Sequence, residues 1–352
     1  MTNFLPPEHS VRLDDPQSGL QGFIVIHSTA LGPAAGGCRF WHYATHAEAS
    51  YDAVRLATGM SLKNALAGLP LGGGKAVIMR PEKGFDRRAL FSAFGRAVAD
   101  LGGSYVTAED VGTGLNDMAC VSERTSHVAG LPQRPNVPGG DPSPWTAYGV
   151  FQAMRVAVRR QLGRDLSEVS VAVQGTGNVG MELCRLLHGA GARLVISEPR
   201  SEVAARASVL YSAQVLSSDA ILSAPVDVFA PCALGGVLTL DMLPRMKARV
   251  VCGAANNQLA TAEVGDRLAD LGVLYAPDYL VNAGGIINVA AEYLNWRLDD
   301  VSQKVDAIPT RLSQVLTLAE AQGIGSHRAA DAMAMKIITD APRMVSPQSA
   351  AA

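Results

Sequence analysis

The chain has 352 residues, of which 48% are hydrophobic and 18% charged, with a formal net charge of −2. That length suffices for two domains, each able to bury a core without disulfide or metal staples. The near-neutral balance speaks against the basic surface that a nucleic acid or an anionic membrane would need.

The opening MTNFLPPEHS has no apolar stretch and does not read as a signal peptide. No run approaches the roughly 18 apolar residues of a membrane span, so no membrane partner is expected and the expected compartment is the cytoplasm. The five cysteines (Cys38, Cys120, Cys184, Cys232 and Cys252) are odd in number, widely spaced and without a CxxC. Neither a disulfide framework nor a zinc site is expected. Cys184 and His188 lie four apart on an expected helix, but two ligands without partners read as packing, so no metal is assigned.

Along the chain, GFIVIHS (22–28) reads as a strand and GPAAGG (32–37) as a turn of small residues. Residues 46–59 have helical spacing. LPLGGGKAVIMR (69–80) reads as a glycine loop running into a strand, 85–101 as a helix, and SYVTAEDV (104–111) as a strand with an acidic end. Residues 132–144 hold five prolines and Gly139-Gly140, a compositional break read as a boundary or mobile loop. A helix is expected over 147–162. Strands and helices then alternate to about 285, the pattern of a parallel sheet covered on both faces. From 291 to 335 the chain reads as mainly helical, and the tail VSPQSAAA as disordered.

Two constellations carry chemistry. The strand VSVAVQ (169–174) runs into Gly175-Thr176-Gly177-Asn178-Val179-Gly180 and a following helix. Gly175 suits the tight turn, Gly177 a close approach of backbone to pyrophosphate, and Gly180 the packing of helix on strand. The pyrophosphate then meets the free amides of the helix N-terminus. The next strand, ARLVIS, ends at Glu198, followed by Pro199. A carboxylate there accepts ribose hydroxyls and repels a 2′-phosphate, which favours NAD over NADP, although Arg200 follows closely and weakens that preference.

The second constellation places Lys63 and Lys75 twelve residues apart among glycine and apolar neighbours, an unusual setting for lysine. Gly72-Gly73-Gly74-Lys75 is not a phosphate-binding P-loop, because Ala76 stands where Ser or Thr is required. A lysine in an apolar cleft has a depressed pKa and can act as a base near neutrality. A lysine left charged suits a carboxylate. Two exposed loop lysines remain the plain alternative. Glu109 and Asp110 end the acidic strand, and either could pass a proton to an amine.

These motifs resemble the Glu/Leu/Phe/Val dehydrogenases, within them the leucine, phenylalanine and valine branch. The matching segments are LGPAAGGCRFW, GMSLKNALAGLPLGGGKAVI, YVTAEDVGT, TAYGVFQAM, VAVQGTGNVG, VDVFAPCALGGVL, VVCGAANNQLA and LYAPDYLVNAGGIINVA, spanning about 22 to 295. The resemblance implies an α/β fold with an N-terminal α/β substrate domain and a Rossmann doubly wound NAD-binding domain, the C-terminal helices packing back across the cleft. The expected boundaries are 1–140, 141–290 and 291–352.

The resemblance also implies that Lys75 and Asp110 are catalytic, that Lys63 binds the substrate carboxylate, and that Asn256 holds the substrate and nicotinamide side. Gly36 and Gly37 fall at the substrate. Thr146 and Arg39 fall by the cofactor, whose path Ala233, Leu234, Ala254 and Ala255 line. Ala35, Gly36, Met60, Ala108, Ile286 and Val289 match the side-chain pocket. Ile286 and Val289 resemble the aliphatic-selective members, whereas the small Ala35 resembles the phenylalanine enzymes. The implied partners are an apolar amino acid or its keto acid, ammonia, NAD and further copies in a homo-oligomer. The competing readings are a non-catalytic NAD-binding homologue, expected to lack Lys75 or Asp110, and a hydroxy-acid enzyme, which would want a His–Asp pair.

Overall fold

The computed structural model describes residues 5–132 and 137–342. Pro135 of the proline-rich break, the first residues of the chain and the tail read as disordered lie outside them. The chain divides into two compact units, one made of 1–140, 288–301 and 333–352, the other of 141–287 and 302–332.

The first unit is built on strands β1 (His9–Asp15), β2 (Leu20–Ser28) and β3 (Ala34–Trp41), helix α1 (His46–Leu66), strand β4 (Gly72–Met79), helix α2 (Arg87–Ala99), strand β5 (Tyr105–Glu109) and helix α3 (Leu115–Ser122). The sheet order is β1-β2-β4-β3-β5. β2 runs antiparallel to β1 and β4, and β3 parallel to β4 and β5. Strand alternation sorts the residues between two faces. Ile24, Ile26, Phe40 and Ile78 pack with Leu90, Phe91, Phe94, Met118 and Val121 of α2 and α3. Val25 and Val77 meet the alanine stripe Ala49, Ala53 and Ala57 of α1.

Three readings of this region are corrected. The segment expected as a small-residue turn contributes half of β3. Its glycines reflect crowding: a Cβ on Gly36 would lie 1.9 Å from the Gly74 carbonyl oxygen. The glycine loop before Lys75 is itself strand, with Gly72, Gly73 and Gly74 all buried within β4. The helix expected to stop at Gly59 continues to Leu66. A Cβ at Gly59 would meet nothing within 4 Å, so that glycine costs only helix propensity, about 1 kcal/mol, and tertiary packing outweighs it.

The second unit comprises α4 (Ser143–Leu162), β6 (Ser170–Gln174), α5 (Asn178–Gly189), β7 (Arg193–Ser197), α6 (Ser201–Tyr211), β8 (Gln214–Val215), β9 (Val228–Pro231), β10 (Val250–Val251), α7 (Ala262–Asp270), β11 (Leu274–Tyr275), α8 (Asp278–Val281), the first half of α9 (Gly284–Tyr293), most of α10 (Leu298–Asp306), α11 (Ile308–Gln322) and the first half of α12 (Ser326–Asp340). Its sheet is parallel throughout, in the order β11-β10-β9-β6-β7-β8. Numbered within the unit, this is the doubly wound 3-2-1-4-5-6 arrangement. The order reverses between β6 and β9, where such sheets open a ligand crevice at their carboxyl ends. Helix α4 begins four residues before the expected start, with Pro144 in its first turn, where a missing N–H costs nothing.

One half-buried carboxyl in this unit opposes folding at neutral pH. Asp331 accepts a hydrogen bond from the Tyr279 hydroxyl at 2.7 Å. Burial pushes its pKa up to about 6, against the pull of Tyr279 and Arg328. Between pH 4 and 6 the native state keeps this proton while the unfolded chain gives it up, so stability falls as pH rises through that window. Asp331→Asn keeps the hydrogen-bond acceptor and removes the charge. It should raise the melting temperature at pH 7–8 by about 5 °C, corresponding to on the order of 2 kcal/mol, and leave it unchanged near pH 4. Calorimetry at both pH values checks this.

Candidate active site

Lys75 sits in the middle of β4, 5% exposed, on the face shared with Val77 that is covered by α1. Its Nζ lies 2.6 Å from Asp110 Oδ2. Asp110 follows the end of β5, where its backbone N–H donates to Thr113 Oγ1 at 2.9 Å, and that hydroxyl donates to the Cys38 carbonyl at 2.9 Å. The residue after the strand is thereby held in one direction. Glu109, the alternative acid, is exposed, and its side chain lies by Gly130. Burial pushes the Asp110 carboxyl up, but Lys75 and Arg39 overcome it and hold the group below its ordinary range.

Arg39 lies between two carboxylates. Its Nε is 3.3 Å from Asp110 Oδ2 and its Nη1 is 3.0 Å from Asp52 Oδ2. Asp52, on α1, also accepts from the Tyr43 hydroxyl and from Arg55, each at 2.7 Å. Sequence reading missed Asp52 and Tyr43, because no motif marks them. The one available signal was Asp52 three residues before Arg55 on the helix.

The glycines expected at the substrate are packing requirements. A Cβ on Gly37 would come within 2.4 Å of the Glu109 carbonyl oxygen and 2.8 Å of Asp110 Cβ, and one on Gly73 within 2.1 Å of the Ser61 nitrogen of α1. Asn64 Nδ2 donates to the Gly72 carbonyl at 2.6 Å, and the Tyr105 hydroxyl to the Gly36 carbonyl at 2.6 Å. Lys63 occupies the last turn of α1 rather than a loop. Ala35 and Ala108 are small and buried. They lie on neighbouring strands, Ala35 opposite Val106 and Gly37 opposite Ala108. Met60 is half-buried one turn before Lys63, and Val289 half-buried on α9.

The second unit carries the glycine turn. Gly175 has φ +92°, a conformation that favours glycine, and a Cβ there would meet Ala233 Cβ at 2.7 Å. A Cβ on Gly180 would lie 2.0 Å from the Gly175 carbonyl oxygen, whereas one on Gly177 would meet nothing. Gly177 caps α5, so its open side and the first amides of the helix (Asn178, Val179) can receive a pyrophosphate. Glu198, just past β7, accepts from the Thr176 backbone N–H at 3.0 Å and from Arg200 Nε at 2.7 Å. The Arg200 guanidinium foremost lowers its pKa to about 2. The turn, the open cap and the ionised acid fit a dinucleotide.

Around it, Pro199, Ala233 and Leu234 are exposed, Leu234 at 83%. Thr146 Oγ1 donates to the Pro142 carbonyl at 3.0 Å, and Ile286 is half-buried near the start of α9. The loop Ala254-Ala255-Asn256 is held from behind. Asn282 Nδ2 donates to the Ala254 carbonyl at 3.1 Å and to Asn256 Oδ1 at 2.8 Å, and the Gln258 N–H donates to Asp278 Oδ2 at 2.7 Å. These supports, too, were not read from the sequence.

A non-catalytic homologue was expected to lack Lys75 or Asp110; both are present and in contact. His127 Nδ1 lies 3.1 Å from the Tyr293 hydroxyl, and the described His–Asp contact, His327 Nε2 to Asp266 Oδ1 at 3.5 Å, joins α12 to α7 rather than lying on the glycine turn where hydroxy-acid chemistry would want it.

The family model for the Glu/Leu/Phe/Val dehydrogenase dimerisation domain matches residues 7–127, and that for Glutamate/Leucine/Phenylalanine/Valine dehydrogenase matches 141–206 and 196–344. Leucine dehydrogenase of Geobacillus stearothermophilus is 43% identical over 95% of this chain and 91% of its own length. Valine dehydrogenase of Streptomyces coelicolor is 44% identical over 95% and 93%. The crystal structure of L-tryptophan dehydrogenase from Nostoc punctiforme superposes with a TM-score of 0.86 at 36% identity, covering 96% of this chain and 98% of that one. With both family models matched in order and such identity over nearly the whole length, the chain belongs to the Glu/Leu/Phe/Val dehydrogenase family of nicotinamide-dinucleotide-dependent amino-acid dehydrogenases.

Proposed function

We propose that the chain oxidatively deaminates an apolar L-amino acid of the Leu/Val/Ile/Phe class to its 2-keto acid and ammonia, reversibly, with NAD as the oxidant. The observation that carries this reading is the buried contact of Lys75 Nζ with Asp110 Oδ2 at 2.6 Å. NAD, when bound, accepts the hydride leaving the substrate 2-carbon. The remaining work falls to side chains of the chain itself. Lys63 binds the substrate carboxylate with its ammonium. Lys75 first passes a proton from Nζ to Asp110 Oδ2 and then accepts at Nζ the proton of the water that attacks the 2-carbon. Asp110 exchanges protons at Oδ2 with Lys75 and with the departing amine, and these two atoms can pass a proton without heavy-atom movement. Asn256 orients the substrate, with its amide fixed by Asn282.

The cofactor is assigned to the turn 175–180, with Glu198 at the ribose hydroxyls. An ionised carboxylate there disfavours a 2′-phosphate. Thr146, Ala233, Leu234, Ala254 and Ala255 line its path in the same assignment. We also propose a homo-oligomer, supported by the match of residues 7–127 to a dimerisation-domain model. A cytoplasmic setting is supported by five free cysteines; no described helix is long and apolar enough to cross a membrane.

Absorbance at the NADH band with a panel of amino acids and with NAD or NADP tests the whole reading. Reduction of NAD by Leu, Val, Ile or Phe is expected, and NADH oxidation with 2-keto acids should require ammonium. Keto-acid reduction independent of ammonium would sink it.

Selection among side chains is assigned to Ala35, Met60, Ala108, Ile286 and Val289. Ala35→Leu narrows the pocket where the chain has only a methyl group. It should lower the Phe/Val ratio of kcat/KM by about tenfold, since a few methylenes in an apolar pocket are worth 1–3 kcal/mol. An unchanged ratio places Ala35 outside the pocket.

A further inference from the structure

The first unit contains a row of alternating charge that motif reading did not reveal: Arg55, Asp52, Arg39, Asp110, Lys75. Each neighbour pair is in contact, at 2.7, 3.0, 3.3 and 2.6 Å in turn. Its middle members are largely covered, with side-chain exposures of 20% for Arg39, 16% for Asp52 and 24% for Asp110. Asp52 is held by three donors, the Tyr43 hydroxyl, Arg55 and Arg39, so it is a fixed anchor. Arg39 spans from that anchor to the same oxygen of Asp110 that Lys75 contacts. A planar guanidinium can bridge two carboxylates with separate N–H groups, which an ammonium cannot do with the same geometry.

We propose that Arg39, anchored by Asp52, is a positioning residue that holds the Asp110 carboxylate on Lys75 Nζ. This replaces the cofactor role that the family resemblance suggested for Arg39, and it rests on the deaminase reading above. Two of the guanidinium's donors, Nε and Nη1, are committed to carboxylates of the first unit. The groups facing Asp110 are Lys75 from β4, Arg39 and the Cys38 thiol from β3, and Tyr105 from β5. Burial raises the pKa of Cys38 and of Tyr105, so both remain neutral. The cations that keep Asp110 ionised are therefore Lys75 and Arg39, and Asp52 draws on Arg39 from the other side.

The alternation gives the test a sign. In Arg39→Leu, Asp110 loses one of its two cations. The acid limb of the kcat/KM profile should move up by about one pH unit, and kcat at the optimum should fall at least about tenfold. The dissociation constant of NADH, read by fluorescence, should change less than twofold. Arg39→Lys should return the limb most of the way but not kcat. In Asp52→Asn the pull on Arg39 weakens, so the limb should move the other way, down by a few tenths of a pH unit. This second variant alters a partly exposed helix position and remains informative if Arg39→Leu does not fold. A limb that stays in place while NADH binding weakens tenfold would return Arg39 to the cofactor. Limbs that move in the same direction in both variants, or in neither, would reduce the row to a structural role. Parent protein that fails to turn over amino acids would instead overturn the deaminase reading, independently of these comparisons.

Discussion

Lys75→Ala is expected to lower turnover at least about 10⁴-fold, in the range that loss of both an acid–base group and an oriented charge produces. NADH binding should be nearly unchanged, because the glycine turn and Glu198 belong to the other unit of the chain. A lysine 5% exposed on a central strand gives up its hydration, and its contact with Asp110 at 2.6 Å offsets that cost. Such a pair is weak evidence for stability, since apolar replacements of buried ion pairs are often neutral or better. Truncating Lys75 alone leaves Asp110 with Arg39 as its remaining cation partner, so modest loss of stability should accompany the catalytic loss. Stopped-flow turnover and NADH fluorescence titration separate the two. Activity retained within tenfold would remove Lys75 from the mechanism.

Gly73→Ala is expected to be strongly damaging for a single added methyl group. The added Cβ would lie 2.1 Å from the Ser61 nitrogen, 2.2 Å from its Oγ and 2.4 Å from its Cα. Two of these are backbone atoms of α1, so no side-chain rotation relieves the contact. Either α1 lifts from the sheet or β4 buckles. Overpacking of this kind commonly costs 1–3 kcal/mol, and here, against backbone on both sides, about 3 kcal/mol or more. Because α1 carries Lys63 and Asp52 while β4 carries Lys75, KM for the amino acid should rise even in protein that remains folded. Denaturant melts and KM together check this; a melt within about 0.5 kcal/mol of the parent would show that the strand and helix can part freely. Gly59→Ala is the internal contrast, since its Cβ meets nothing.

The second unit was the more legible in the sequence, because its turn chemistry is local: glycines at 175, 177 and 180 and an acid at 198 are set by covalent spacing. In the first unit the sequence picked out Lys75 and Asp110, which the fold brings into contact, but it did not show the backbone that carries them. Gly36, Gly37 and Gly72 to Gly74 read as loop because glycine usually marks turns. They are strand because α1, Tyr105 and neighbouring carbonyls leave no room for side chains. That information lies in contacts between residues far apart in sequence. Gly59 misled in the same way, ending the expected helix seven residues early. β1 and α3 left little periodic signal; of β1 only Leu13 is buried. The pairing of Asp110, rather than Glu109, with Lys75 follows from which side of β5 faces α1, and a dipeptide does not state that. Asp52, Tyr43 and Asn282 make their contacts with residues far from the motifs in sequence or outside them, so no motif could announce them.

Helix α1 is one uninterrupted rod of 21 residues, and it bears Asp52, Met60 and Lys63 along its length. From Asp52 to Lys63 the rod spans about 16 Å at 1.5 Å per residue. A small tilt at its N-terminal end is therefore felt at the far end as well. In the proposed site, the grip on the substrate carboxylate and the aim of the Lys75–Asp110 pair would share a single lever, and drift in one could not be tuned away without disturbing the other.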